Sequence, residues 1–66
     1  MKNRLKVARA EHDLTQEDLA RMISVSRQTI NSIEKNRYVP STVLALKMSQ
    51  VFGVSVNDLF TLDEDD

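Results

Sequence analysis

Apolar residues recur along this chain at helical rather than alternating intervals. Leu5 and Ala8, with His12 a turn further on, mark one face of a first helix over about residues 2–12, flanked by Val7. Asp13 stands where that helix should stop. Thr15-Gln-Glu-Asp18 then opens a second helix, a capping-box-like start with Asp in the place of Glu. Its inner face is expected to be Leu19, Ala20, Met22 and Ile23. Ser26 can cap a third helix running to about Lys35, with Ile30 and Ile33 turned inward. Pro40 ends the loop Asn36-Arg-Tyr-Val-Pro40, and Ser41 is a new N-cap. The fourth helix, Thr42 to Phe52, carries Val43, Leu44, Ala45, Leu46, Met48, Val51 and Phe52. It is apolar round much of its circumference, which predicts a central core helix. Gly53 suits the left-handed position after it. Ser55-Val-Asn-Asp58 opens a short fifth helix ending near Phe60, and TLDEDD follows as an exposed tail.

The pattern predicts an all-α fold, a compact five-helix domain over residues 1–62 with an acidic tail at 63–66. Helices two and three are joined by only a few residues around Ser24 and Val25, too few for an antiparallel hairpin. They must cross steeply, as in a helix-turn-helix. Ala20 faces the turn, and its small side chain allows close approach. Leu19, Ile23, Val25, Ile30 and Ile33 supply the apolar contact. What remains outward on helix three is Arg27, Gln28, Thr29, Asn31 and Ser32. A solvated helix face more commonly reads as Glu and Lys, whereas this one is made of groups that can grip a partner.

Composition narrows the function classes. Sixty-six residues without cysteine allow one small domain and neither disulfides nor Cys-ligated zinc. No apolar run approaches the roughly 20 residues of a membrane span, and the first residues lack the apolar centre of a signal peptide. A cytoplasmic protein is expected. With one His, no Gly-rich phosphate loop and little chain to enclose a cleft, an enzyme is not expected. His12, between Glu11 and Asp13, reads as a surface or helix-end residue, because consecutive positions diverge round a helix and do not converge on a metal. The sequence points to no cofactor and no metal, and no small-molecule effector is evident. The net charge of −1 hides an asymmetry. Residues 1–39 hold eight Lys/Arg and five Asp/Glu, a balance of +3, and residues 40–66 hold one Lys and five acids, a balance of −4. A basic front of this kind is compatible with an anionic partner despite the overall charge.

The stretch LTQEDLARMISVSRQTINSIEKNRYVPS resembles the helix-turn-helix of the Xre/Cro family, the lambda-repressor-like regulators of bacteria and phage. Gln16, Ala20, Ile23, Val25, Ile30 and Ile33 occupy the family's pattern positions, and FGVSVNDLF is similar to its last two helices. The likeness extends from Asn3 to Phe60. It implies a sequence-specific double-stranded DNA-binding transcriptional regulator, a repressor, that inserts helix three into the major groove of an operator. Arg27, Gln28 and Ser32 match base-reading positions. Independently of the family, Arg can pair with guanine O6 and N7, and Gln with adenine N6 and N7. Gln16 would bond a phosphate and buttress Arg27. Thr29 and Asn31 lie at the edges, and Lys35, Arg37 and Tyr38 would reach the backbone. Arg9 and Glu34 resemble a family ion pair joining helix one to the end of helix three, a structural role.

The resemblance also implies a homodimer on an inverted repeat, since one recognition helix reads only a few base pairs. Val54, Val56, Leu59, Phe60 and Leu62 are either core or dimer patch. An alternative is an antitoxin-like interaction module that also binds DNA. The departures fall where the family often has glycine, after helix one, in the turn and after helix three. Asp13, Ser24 and Asn36 stand there, and Ser24 is the least accommodating of the three.

Overall fold

The computed structural model describes residues 1–66, and its helices begin and end for local reasons that can be read residue by residue. It contains β1 (Lys2–Asn3), α1 (Leu5–Glu11), α2 (Gln16–Met22), α3 (Arg27–Glu34), α4 (Thr42–Phe52), α5 (Val56–Leu59) and β2 (Phe60–Thr61). Thr15, Ser26, Ser41 and Ser55 each accept the backbone amide three residues on, that of Asp18, Thr29, Leu44 and Asp58. Each bond satisfies a helix N–H that has no partner within the helix. At Thr15 and Ser55 the aspartate carboxylate also returns to the cap's own amide, 2.9 Å and 3.0 Å away, completing a capping box. Aspartate therefore serves where glutamate is usual. Only α1 lacks a side-chain cap from its own N-cap residue, Arg4. The Asn3 side chain instead accepts the Leu5 amide at 3.2 Å.

The ends of α1 to α4 share one device. Asp13, Ser24, Asn36 and Gly53 have φ of 53°, 61°, 60° and 67°, all left-handed. The next residue then donates to a carbonyl five positions back: Leu14 to Arg9, Val25 to Ala20, Arg37 to Ser32 and Val54 to Ser49. This is the Schellman closure, which satisfies carbonyls the helix leaves free. The three positions at which glycine was missing from the family pattern thus adopt the conformation that glycine would favour.

Leu5, Leu19, Ile23, Ile30, Ile33 and Met48 are essentially inaccessible to solvent, and Ala8, Ala20, Phe52, Leu59 and Phe60 complete the core. Two expectations about it are corrected. Met22 is 55% exposed and not part of the inner face of α2. It lies roughly 100° round the helix from the centre of the Leu19, Ala20, Ile23 stripe. Nor is α4 a central helix. Only Met48 and Phe52 are buried, whereas Val43 and Leu46 are 61% and 54% exposed. A domain this small has too little surrounding chain to cover a helix on every side. The centre belongs to α1, α2 and α3.

The helical reading also omitted a short antiparallel ribbon. Lys2 pairs with Thr61 and Asn3 with Phe60, and the Arg4 amide continues the ladder to the Leu59 carbonyl at 2.9 Å. The first helix consequently starts at Leu5 and the fifth stops at Leu59. The acidic end does not simply project into solvent. Asp63 and Asp66 turn back so that their carboxylates approach the Met1 amino group at 2.8 Å and 3.0 Å. These two contacts hold the amino group's pKa above its ordinary value, and the Asp63 backbone amide, then the Met1 amino group, holds that of Asp66 below its own. The basic front and acidic back of the chain are therefore partly reunited in the fold. No helix is long and apolar enough to cross a membrane.

Candidate nucleic-acid interface

The face in question is built by the packing of α2 against α3. Ile30 and Ile33 are buried between the two helices and half-buried Val25 plugs the turn. At 100° per residue this leaves Gln28 and Ser32 on the far side of α3, with Arg27 on its flank about 90° from the buried stripe. Arg27 and Gln28 are exposed, whereas Thr29, Asn31 and Ser32 are half-buried. Both exposed side chains sit in the first turn of α3, beyond its Ser26 cap. Gln28 separates two shallow recesses. One, of about 190 Å³, is lined by Gln16, Arg27, Gln28 and Asn31. The other, of about 270 Å³, is lined by Ser26, Gln28, Thr29, Ser32, Arg37 and Tyr38. Neither lining contains an acid. Thr29 is tied to the cap, its hydroxyl 3.0 Å from that of Ser26.

A hydrogen-bonded network behind this face sets its orientation. The Arg9 guanidinium grips Glu34 with two N–H donors, Nε to Oε2 at 2.6 Å and Nη2 to Oε1 at 3.0 Å. Its remaining arm donates to the Leu14 carbonyl at 2.9 Å. The two side chains are only 14% and 8% exposed. The bonds to Glu34 raise the pKa of Arg9 above its already high value, so the guanidinium stays charged. Gln16 joins the same network. Its amide donates to Glu34 Oε1 at 3.2 Å and to Asn31 Oδ1 at 3.3 Å. Gln16 was expected to buttress Arg27. Its donors turn instead to Asn31 and Glu34, because Glu34 offers a partly buried anion. Asn31, expected at the edge of the DNA, spends its carbonyl oxygen on Gln16.

Electrostatically the face is cationic. Ion pairs in the chain engage Met1, Lys2, Arg9 and Arg21; of the six other basic side chains, Arg27, Lys35 and Arg37 lie on α3 or just beyond it. Glu34, the one acid in α3, is neutralised by Arg9. Lys35, Arg37 and Tyr38 are all exposed just beyond the helix.

Asn3 is the residue that sequence reasoning missed. Its amide nitrogen donates to the Ile33 carbonyl at 2.9 Å and to Asn36 Oδ1 at 3.0 Å, linking the N-terminal ribbon to the end of α3. No periodicity signals a single polar residue whose partners lie 30 and 33 positions away.

His12 is the exposed C-cap of α1, a helix-end residue as expected, its ring edge-on to Phe52 with centroids 5.2 Å apart and Nδ1 3.0 Å from the Ala8 carbonyl. Of the residues considered for a subunit interface, Leu59 and Phe60 are 2% and 7% exposed and belong to the core, since the ribbon folds Phe60 inward. Val56 is half-buried. Val54 and Leu62, at 38% and 74% exposure, are open to a partner.

A family model described as helix-turn-helix matches residues 5–59. An uncharacterised helix-turn-helix-type transcriptional regulator of Methanocaldococcus jannaschii is 54% identical over 66 residues, covering 100% of both chains. The regulator YgzD of Bacillus subtilis, also uncharacterised, is 45% identical over 65 residues, 98% of each chain. Among solved structures, a hypothetical transcription factor from Neisseria superposes with a TM-score of 0.73 at 25% identity. It covers 79% of this chain, which spans 58% of that one.

Proposed function

Because the chain belongs to the Xre/Cro-type helix-turn-helix family of DNA-binding transcriptional regulators, we propose that it reads a specific duplex with the outward face of α3 and represses by occupying an operator. The observation that carries this reading is the state of Arg27, Gln28 and Ser32. These side chains take part in none of the internal hydrogen bonds that occupy Gln16, Asn31 and Arg9. Arg27 and Gln28 are exposed, and two further unpaired cations, Lys35 and Arg37, follow the helix. Arg27 and Gln28 have the donor and acceptor geometry to address purine edges in the major groove, and Ser32 a hydroxyl that can donate or accept. Lys35, Arg37 and Tyr38 meet phosphates, which fix register and add salt-dependent affinity.

The protein acts as a homodimer. Two copies related by a two-fold axis place two α3 helices in successive major grooves, so the operator is an inverted repeat with half-sites roughly 34 Å apart. Val54, Val56 and Leu62 supply apolar surface for that contact. Selection from random duplexes at two salt concentrations tests the proposal. It should return an inverted repeat, and Arg27→Ala or Gln28→Ala should each cost about 1–3 kcal/mol of discrimination at one position of each half-site. An unchanged consensus in both variants would exclude these residues as readers.

A further inference from the structure

We infer that Asn3 is a positioning residue for phosphate contact, acting through the junction between α3 and the loop that carries Arg37 and Tyr38. This rests on the proposal that α3 and that loop face DNA. The orientation of the Asn3 amide is fixed by its surroundings. Its oxygen takes the Leu5 N–H at 3.2 Å, so its nitrogen is the end that meets the Ile33 carbonyl and Asn36 Oδ1. The reverse orientation would oppose donor to donor and acceptor to acceptor. All three bonds are consistent with one another, and both hydrogens of the amide are used at a single place.

That place is where the chain turns from recognition helix to loop. Ile33 is in the last turn of α3, and its carbonyl also receives the Asn36 amide at 3.0 Å. Asn36 is left-handed at φ 60°, and Arg37 follows directly, its own amide closing on Ser32 at 2.9 Å. The direction in which Arg37 and Tyr38 leave the helix is therefore set by the conformation of Asn36. Asn3 holds that conformation from outside, by the Asn36 side chain and by the carbonyl next to it. Asn3 is anchored in turn by pairing with Phe60 in the ribbon. The only polar side-chain link between the ribbon and α3 thus ends at the residues that aim the phosphate contacts, and not at Arg27 or Gln28 at the other end of the helix.

The test is the salt dependence of duplex binding for Asn3→Ala, measured on the selected operator and on an unrelated duplex, with folding checked by circular dichroism at the assay temperature. Losing one phosphate contact in each protomer, two in the dimer, makes the slope of log K against log salt shallower by about 1.8, or about sixtyfold weaker binding at 0.1 M salt. The change should be equal on both duplexes, because phosphates carry no sequence. In an Arg37→Ala background, Asn3→Ala should change the slope no further. A folded Asn3→Ala protein with the wild-type slope, or a slope change that adds to that of Arg37→Ala, overturns the inference. Should Asn3→Ala fail to fold, Asn36→Gly decides the matter. It keeps a left-handed backbone accessible and removes only one Asn3 bond, so a smaller slope change of the same sign is expected, and none refutes the idea. A wild-type protein that selects no duplex overturns the DNA reading as well, whereas operator binding with unaffected variants overturns only the role of Asn3.

Discussion

Ser24→Gly should stabilise this protein, although it deletes a side chain and adds a flexible residue. Ser24 has φ of 61°, a conformation costing a non-glycine residue roughly 1–2 kcal/mol. Glycine removes that strain but gives the unfolded chain more freedom, at a cost of roughly 0.5–1 kcal/mol. The Ser24 side chain is exposed and makes no hydrogen bond that the substitution would remove. The backbone bonds on either side, Ser24 to Arg21 at 3.3 Å and Val25 to Ala20 at 2.9 Å, survive it. The net expectation is a gain of about 0.5–1 kcal/mol, raising Tm by about 3–6 °C in a domain of this size. Gly53→Ala is the complementary measurement. An added Cβ at Gly53 meets no atom within 4 Å, so the substitution reports the left-handed backbone alone. It should lose about as much as Ser24→Gly gains. Asn36→Gly should not gain, because Asn tolerates this region better and here also accepts the Asn3 bond. Urea titrations at constant m measure all three. A destabilised Ser24→Gly protein, or a greater gain at Asn36 than at Ser24, would refute the strain argument.

Three other outcomes are expected. Glu34→Gln leaves a mostly buried guanidinium without its anion and should cost about 3 kcal/mol by urea titration, the low end for a broken buried pair because Arg9 keeps the Leu14 carbonyl. Asp18→Asn should lower stability at pH 7 and flatten the acid side of the thermal stability profile. The Thr15 backbone amide, and then its hydroxyl, hold the Asp18 carboxyl below its usual pKa. Its contribution is therefore complete above the ordinary carboxylate pKa of about 3.9 and is lost as pH falls through the lower folded value. Val54→Asp combined with Leu62→Asp should shift the protein toward monomer in sedimentation experiments while leaving the helical circular-dichroism spectrum unchanged, because both positions are exposed. An unaltered dimer would exclude this face.

Helix existence was legible in the sequence because caps and stripes are local. Thr15, Ser26, Ser41 and Ser55 each mark a start that the fold uses. The helix ends were legible too once Asp13, Ser24 and Asn36 were seen to stand at positions suited to glycine. What failed depends on partners far along the chain. The β1–β2 ribbon joins residues 2 and 3 to residues 61 and 60, and two-residue strands carry no alternating pattern. Helix α4, apolar round much of its circumference, reads as a central core helix because apolar positions alone do not tell how much chain is available to cover them. The exposure of Arg27 and Gln28 was legible from their spacing, since they only need to be left off the buried stripe; that they read bases is the proposal. Gln16 was not, because its direction is decided by Glu34 and Asn31 on another helix.

That last difference separates two kinds of polar residue on what looks like one surface. Arg9, Gln16, Asn31 and Glu34 form a connected set, and cutting one member leaves another partly buried group unpaired. Substitutions there should lower stability first and weaken DNA binding as a consequence. Arg27, Gln28 and Ser32 have no internal partner to lose, so their replacement should leave Tm near that of the wild type. If these three side chains read bases as proposed, replacing them should change the preferred sequence without disturbing the scaffold. Stability and the proposed base reading therefore fall to different side chains of α3, Glu34 and Asn31 to the network with Arg9 and Gln16, and Arg27 and Gln28 to the duplex. Binding and melting measured on one panel of alanine variants should then show two groups. A variant of Arg27 or Gln28 that melts as early as Glu34→Gln would contradict the division.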